Sequence, residues 1–333
     1  MLRPSGHANL ANRIRTLRGG GEAMKRWAVV TSVGLLVAGV SGLGAQGVPG
    51  VDFTPQLVEI VPDVYVYEGP LALQGEDEIV RTNSLVVVTE EGVVVVDGQA
   101  NMEEGERMIE AIGQVTSKPI RYLINASPHG DHINSNPAFE DATILAHEHA
   151  YEDIAASRAA AEEAGSPHPP TLPHLTFSDF MALRVGGRTF ELHYFGPGHT
   201  RGDTVVLLPD EGVAFLSELY FNGVAASLGE GYAREHLTTL ERAMELPAEW
   251  WIPGHGYVEG QSRQELEAGL EYYYDNVAAI YHAVALRAAR GESLDQVLAG
   301  IAQDLGPFAE LPFYHYLEEA TISATYRAAT EDR

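Results

Sequence analysis

The sequence predicts an α/β fold around one core. Strand-like and helix-like patterns interleave along the chain from residue 58 onward. Its two strongest apolar hairpins are almost purely β-branched and aliphatic, as in strands buried on both faces. The segments between them carry apolar residues at helical spacing. With 333 residues, 45% of them hydrophobic, the chain is large enough for a sizeable core, and it holds no cysteine. Disulfides and thiolate ligands are thereby excluded, so any metal must be held by His, Asp, Glu or water, a set that suits zinc and harder divalent ions.

Residues 1–45 read as an N-terminal extension and signal peptide. Lys25 and Arg26 precede an apolar stretch from Trp27 to Val40, then small residues and a cleavage point after Ala45. Met24 offers an alternative start. The apolar stretch is short for a membrane span and is interrupted by Thr31, Ser32, Gly34 and Gly39, which favours cleavage over anchoring. The expected location is periplasmic or secreted. Without residues 1–45 the chain carries 15 basic against 46 acidic residues, a net charge of −31. Such a surface repels nucleic acid and anionic membranes.

A linker at 46–57 leads into a single domain at 58–333. Val58–Val61 and Val64–Tyr67 are short strands around Pro62-Asp63. Ser84–Thr89 and Val93–Val96 flank the turn Glu90-Glu91-Gly92 as a hairpin. Asn101–Val115 is a helix, with Met108, Ile109, Ile112 and Val115 on one stripe. Ile120–Ala126 is a buried strand, Thr143–Ala146 a short one, and His147–Ala164 a helix stopped by Gly165 and Pro167. Ser166–His174, with four prolines, is a loop. Met181–Val185 and Thr189–Phe195 pair around Gly186-Gly187. Trp250–Ile252 is a late strand, and from about residue 262 the chain turns helical: Arg263–Arg290, Ser293–Leu305 and Tyr314–Arg327.

At an offset of 120 residues, NSLVVVTEEGVVVV (83–96) lies over DTVVLLPDEGVAFL (203–216), matching Glu91 to Glu211 and Gly92 to Gly212. A duplicated half leaves this trace. It implies a pseudo-twofold that brings Asp97-Gly98 and Ser217-Glu218 towards one edge of the sheets.

Three local signatures, each after a strand-like run, collect metal-binding residue types: SPHGDH (127–132), GPGHTRGD (196–203) and PGHG (253–256). Positions 127 and 129 share a face at a strand exit, whereas the adjacent Asp131 and His132 must lie on a turn, which Gly130 permits. His255 sits between Gly254 and Gly256, where the backbone can turn tightly. Other histidines lack such context. His147 and His149 at a helix start need only capping or solvent, and His193 is a surface or satisfied core position. Tyr272–Tyr274 suits helix packing, and no nucleophile elbow surrounds Ser217. No phosphate loop or dinucleotide fingerprint occurs.

These marks resemble the metallo-β-lactamase fold superfamily, whose HxHxDH, GHTxGD, strand-end acid and late GHG stand here as 127–132, 198–203, Glu218 and 253–256. The resemblance covers about residues 58–260. It implies an αββα sandwich of the metallo-β-lactamase type, with a helical C-terminal extension and metals at one edge. It also implies that His129 and His199 serve one metal and that Asp131, His132 and His255 serve a second. Glu218 takes the place of the bridging acid, usually Asp. Asp203 would orient the His199 loop, and Asp97 would accept from a ligand imidazole. The departure is Ser127, which stands where the first His of HxHxDH is expected. Two metals, one metal held by Asp131, His132 and His255, or a site without turnover all remain open on ligand count.

The expected function is an exported zinc-dependent hydrolase with one or two ions, iron or manganese being admissible. Metal-activated water, oriented by Asp131, would attack a small-molecule carbonyl substrate of the lactam, lactone or thioester class. The alternatives are a catalytically degenerate metal-binding partner protein and an iron-holding redox relative. Specificity is assigned to loops at 73–79, 166–174 and 222–232. Oligomeric state has no sequence signal.

Overall fold

The computed structural model describes residues 55–72 and 79–331. The signal peptide read at 1–45, most of the linker and nearly all of the loop at 73–79 lie outside the described residues. The first strands run in antiparallel order: β1 (Gln56–Val61), β2 (Val64–Ala72), β3 (Ile79–Val88) and β4 (Val93–Val96). Helix α1 (Met102–Val115) then crosses to β5 (Ile120–Asn125), which lies parallel to β4. The short helix α2 (Gly130–Ile133) precedes β6 (Thr143–His147), α3 (Glu148–Glu163) and β7 (Leu175–Phe177), which extend the same sheet.

The second sheet repeats the plan. β8 (Phe180–Val185), β9 (Arg188–His193), β10 (Val205–Leu208) and β11 (Val213–Phe215) are antiparallel neighbours. α4 (Ala233–Ala243) crosses to β13 (Trp250–Ile252), parallel to β11. The chain therefore holds the order strand, strand, strand, strand, helix, parallel strand twice. β12 (Phe221–Asn222) and β14 (His255–Gly256) return to the first sheet, where His255 pairs with Thr82 of β3. α5 (Arg263–Ala289), α6 (Leu294–Leu305) and α7 (Tyr314–Glu331) follow.

Side chains of a strand alternate between faces, so strands covered on both sides must be apolar at every position. Leu85, Val87, Val94 and Val96 face Phe190, Val206, Leu208 and Phe215 between the sheets. Their neighbours Val86, Val88, Val93 and Val95 face Met108 and Ile112 of α1. On the far side Val205, Leu207, Ala214 and Trp251 pack against Leu240, Tyr273 and Val277 of the helices. The layers are helix, sheet, sheet, helix.

Several elements differ from the sequence expectation, among them β2 and β3, which run longer, to Ala72 and from Ile79. β1 begins at Gln56, two residues before the expected strand. α4 was not expected; its buried face of Ala233, Leu237, Leu240 and Ala243 has helical spacing, but two threonines and four charged residues dilute the pattern. The turn around Gly130 is instead a helical turn, closed by His132 N–H to His129 O at 3.0 Å and Asn134 N–H to Gly130 O at 2.8 Å. Val115 ends α1 off its buried face, at 45% exposure.

Candidate metal centre

The offset of 120 residues becomes a contact at the site. Asp97 and Ser217 close the two matched hairpins, and both adopt left-handed backbone, with φ of 61° and 48°. Such angles are costly for side chains other than glycine and persist where surrounding structure enforces them. Here the two residues meet: Ser217 Oγ donates to Asp97 Oδ2 at 2.5 Å. Asp97 also accepts the Ala126 N–H at 2.6 Å, tying the end of β5 to the end of β4. Glu218 follows Ser217 directly into the site.

The six expected donors converge. Asp131, His132, Glu218 and His255 form one group, and His129, His199 and Glu218 the other, with Glu218 common to both. Around the first group His132 Nε2 lies 3.4 Å from His255 Nε2, 3.4 Å from Asp131 Oδ2 and 3.2 Å from Glu218 Oε1. His255 Nε2 lies 3.3 Å from Asp131 Oδ2 and 3.4 Å from Glu218 Oε2. In the second, His129 Nδ1 is 3.2 Å from both His199 Nε2 and Glu218 Oε1, and His199 Nε2 is 3.3 Å from Glu218 Oε2. Bonds of about 2.0–2.1 Å from a tetrahedral zinc place its ligands roughly 3.3–3.4 Å apart. The spacing fits a divalent ion in each group.

The outward nitrogens fix the tautomers. His199 Nδ1 donates to Ser227 O at 2.8 Å and His255 Nδ1 to Arg81 O at 3.0 Å, while His132 Nδ1 faces Asp97 Oδ2 at 3.1 Å. The Nδ1 protons of His199 and His255 therefore sit away from the centre, and their Nε2 lone pairs point inward. Glu218 Oε2 is consequently buried with no hydrogen-bond donor. A buried carboxylate oxygen facing imidazole lone pairs is satisfied by a cation.

Electrostatics agree. Burial disfavours charge on Glu218, but the imidazoles, His199 and His255 foremost, outweigh it and hold the carboxyl well below the usual range. Burial opposes protonation of His129 and His132 too. Glu218 acting on His129, and Asp131 and Asp97 acting on His132, overcome it and raise both well above the ordinary histidine value. His199, dominated by burial, drops to about 4. The field that draws protons here also draws a metal cation.

Ser127 is fully buried, and its hydroxyl accepts the His129 N–H at 3.2 Å. Asp203 accepts from Thr200 N at 2.6 Å and Thr200 Oγ1 at 2.7 Å, bracing the residue after His199. Gly254 and Gly256 are sterically demanded. A Cβ on Gly254 would lie 2.4 Å from the Ser217 carbonyl, and Gly256 has φ of 94° with Asn222 O in the way. His147 caps α3 through Nδ1 and is buried, not solvated. The carbonyls of Arg81 and Ser227 were invisible in sequence because a backbone oxygen carries no residue signal. Glu230, 3.9 Å from His129 Nε2, was also missed.

The sequence model of the metallo-beta-lactamase superfamily matches residues 78–255, more than half of the chain, and the chain belongs to that superfamily, whose members are mostly metal-dependent hydrolases. Among curated relatives, the type 2 metallo-beta-lactamase of Bacillus sp. (strain 170) is 27% identical over 186 residues, covering 54% of this chain and 69% of that protein. The 2,4-dinitroanisole O-demethylase subunit alpha of Nocardioides sp. (strain JS1661) is 27% identical over 260 residues, covering 75% of this chain and 70% of that protein. The solved metallo-beta-lactamase from Pontibacter korlensis shares the fold, with a TM-score of 0.56 at 21% identity, over 67% of this chain and all of that one.

Proposed function

We propose that this protein is an exported, zinc-dependent hydrolase that uses metal-activated water on a small carbonyl substrate of the lactam, lactone or thioester class. The observation that carries the reading is the placement of Glu218: its two carboxylate oxygens lie 3.2–3.4 Å from four inward imidazole nitrogens contributed by three distant signatures. A divalent ion held by these donors supplies a Lewis acid and a water acidified to a pKa of about 7. His132, His199 and His255 present Nε2 lone pairs because their Nδ1 atoms are engaged elsewhere. Asp131 lines the cavity, with Oδ2 also 3.5 Å from Thr82 Oγ1. That position suits it to orient the attacking water and hold its proton until the leaving group departs.

The test pairs metal analysis of protein purified without chelator with turnover on lactam, lactone and thioester panels. Near-stoichiometric metal, with turnover lost in His132→Ala and His255→Ala, is expected. Bound metal without turnover on every panel overturns the hydrolase reading in favour of a metal-binding partner protein. A second substrate class is favoured by the extent of one similarity. The match to the 2,4-dinitroanisole O-demethylase subunit spans 75% of this chain against 54% for the Bacillus lactamase. Release of 2,4-dinitrophenol from 2,4-dinitroanisole, followed by its colour, tests that class directly.

A further inference from the structure

A cavity of about 240 Å³ opens onto the donors, lined on one side by His129, Asp131, His199, Glu218 and His255. Its other walls, Ser227 apart, are apolar and come from four separated places: Leu71 of β2, Val80 of β3, the segment at 221–225 and the start of α7. Phe221, Val224, Phe313 and Leu317 are the wall residues that decide its character. Among the described lining residues none is Lys or Arg. Arg81, beside Val80, is only 2% exposed and carries its guanidinium over the Tyr257 ring, 5.9 Å from the centroid. The acidic lining residues, Asp131 and Glu218, are themselves metal donors, and the exposed Glu230 stands beside His129.

Phe313 is held in place at a cost. It has φ of 66° and is 5% exposed, a left-handed phenylalanine just before α7. Such a residue costs of the order of 1–3 kcal/mol and persists only where its surroundings fix it. They do so here: Pro312 O accepts the Ala225 N–H at 3.0 Å, and Thr321 Oγ1 accepts the Leu228 N–H at 3.1 Å. One part of the apolar wall, Phe313 and Leu317, is therefore built by residues beyond 255, outside the segment that the superfamily model matches.

We propose that this cavity selects a small, uncharged, largely apolar substrate, and that Phe313 and Leu317 of the C-terminal extension are its specificity-determining residues. A substrate bearing an anion remote from the reacting carbonyl would have to desolvate it against the apolar wall, away from any ion at the donors and with no Lys or Arg among the described lining residues to receive it. The volume is at the small end for ligand cavities, which run from roughly 300 to 1,000 Å³. One aromatic ring or a short acyl chain fits that scale. The proposal rests on the hydrolase reading for turnover but not for binding.

The experiment uses metal-loaded protein and matched probes. Phenyl acetate and 4-acetoxybenzenesulfonate test turnover, and the sulfonate, with the better leaving group, is intrinsically the more reactive. Acetophenone and 4-acetylbenzenesulfonate test binding by ligand-detected NMR. Wild type is expected to favour each neutral probe at least tenfold. Leu317→Arg should shrink that preference tenfold or more, with the change carried by KM and metal content unaltered. Phe313→Ala, which enlarges the wall without adding charge, should move preference towards 2-naphthyl acetate or its ketone analogue and serves if the arginine variant fails to fold. Equal or tighter binding of the sulfonate by wild type overturns the proposal, as does failure of both ketones to bind. Neutral-selective binding without turnover of either ester retains the cavity's selectivity and counts against the hydrolase reading instead.

Discussion

Replacing Ser127 by histidine should strengthen the weaker of two metal sites. The group of Asp131, His132, Glu218 and His255 has four donors, whereas that of His129 and His199 has Glu218 only as a shared third. Four-ligand protein zinc sites bind with about 10–16 kcal/mol, so one added imidazole is worth roughly 3 kcal/mol. Against this, Ser127 is fully buried, and an imidazole there overpacks its surroundings at about 1–2 kcal/mol. It also loses the hydroxyl acceptor of the His129 N–H, worth about 1 kcal/mol. The balance is a gain of up to roughly 1 kcal/mol, a second ion up to about fivefold tighter. Zinc titration of chelator-stripped protein against a chromophoric competitor should resolve two steps in wild type, with the weaker step moved closer to the stronger in Ser127→His. A folded Ser127→His protein with the second step unmoved would refute the ligand-count argument.

Three further outcomes are expected. Asp97→Asn should cost about 10–100-fold in metal affinity, because Asp97 faces His132 Nδ1 and receives Ser217 Oγ; a competition titration with affinity within twofold of wild type contradicts this. Thr321→Ala leaves the buried Leu228 N–H without its acceptor at about 1–3 kcal/mol, which calorimetry should show as a Tm lowered by several degrees. Burial pushes His236 down to about 3 in the folded chain, whereas its unfolded value is 6.5. The native state refuses a proton that the unfolded state binds, so this contribution is complete above pH 6.5 and declines towards pH 3 at up to about 1.4 kcal/mol per pH unit. His236→Asn should flatten the denaturant-unfolding profile across that window, and a profile parallel to wild type would exclude the effect.

How far the fold could be read depends on which signals are local. The arms at 85–88, 93–96, 205–208 and 213–215 are apolar at every position, and the structure buries both of their faces. The Asp97 and Ser217 correspondence was legible as an internal alignment, because both residues terminate hairpins with the same turn. The histidines and Asp131 were legible because they sit in short glycine-bearing signatures, and Glu218 because it is an acid at the end of a hairpin arm. Strand alternation required a turn at Asp131 and His132, and the structure makes it a helical one on which both can turn inward, with Gly130 in ordinary helical backbone. The loop at 166–174 supplies no residue to the cavity, whereas that at 222–232 supplies Val224, Ala225 and Ser227. Phe313 and Leu317 carried no such mark, since they reach the cavity only through the docking of α7 against 225–228.

The two repeated halves divide the ligands between them. His129, Asp131 and His132 come from the first, and His199, Glu218 and His255 from the second, so neither donor group is complete within one half. An ion seated there fastens one lobe to the other as a rivet joins two plates. Chelation should accordingly loosen the seam at the metal edge, and hydrogen exchange at the ends of β4 and β11 would quicken first.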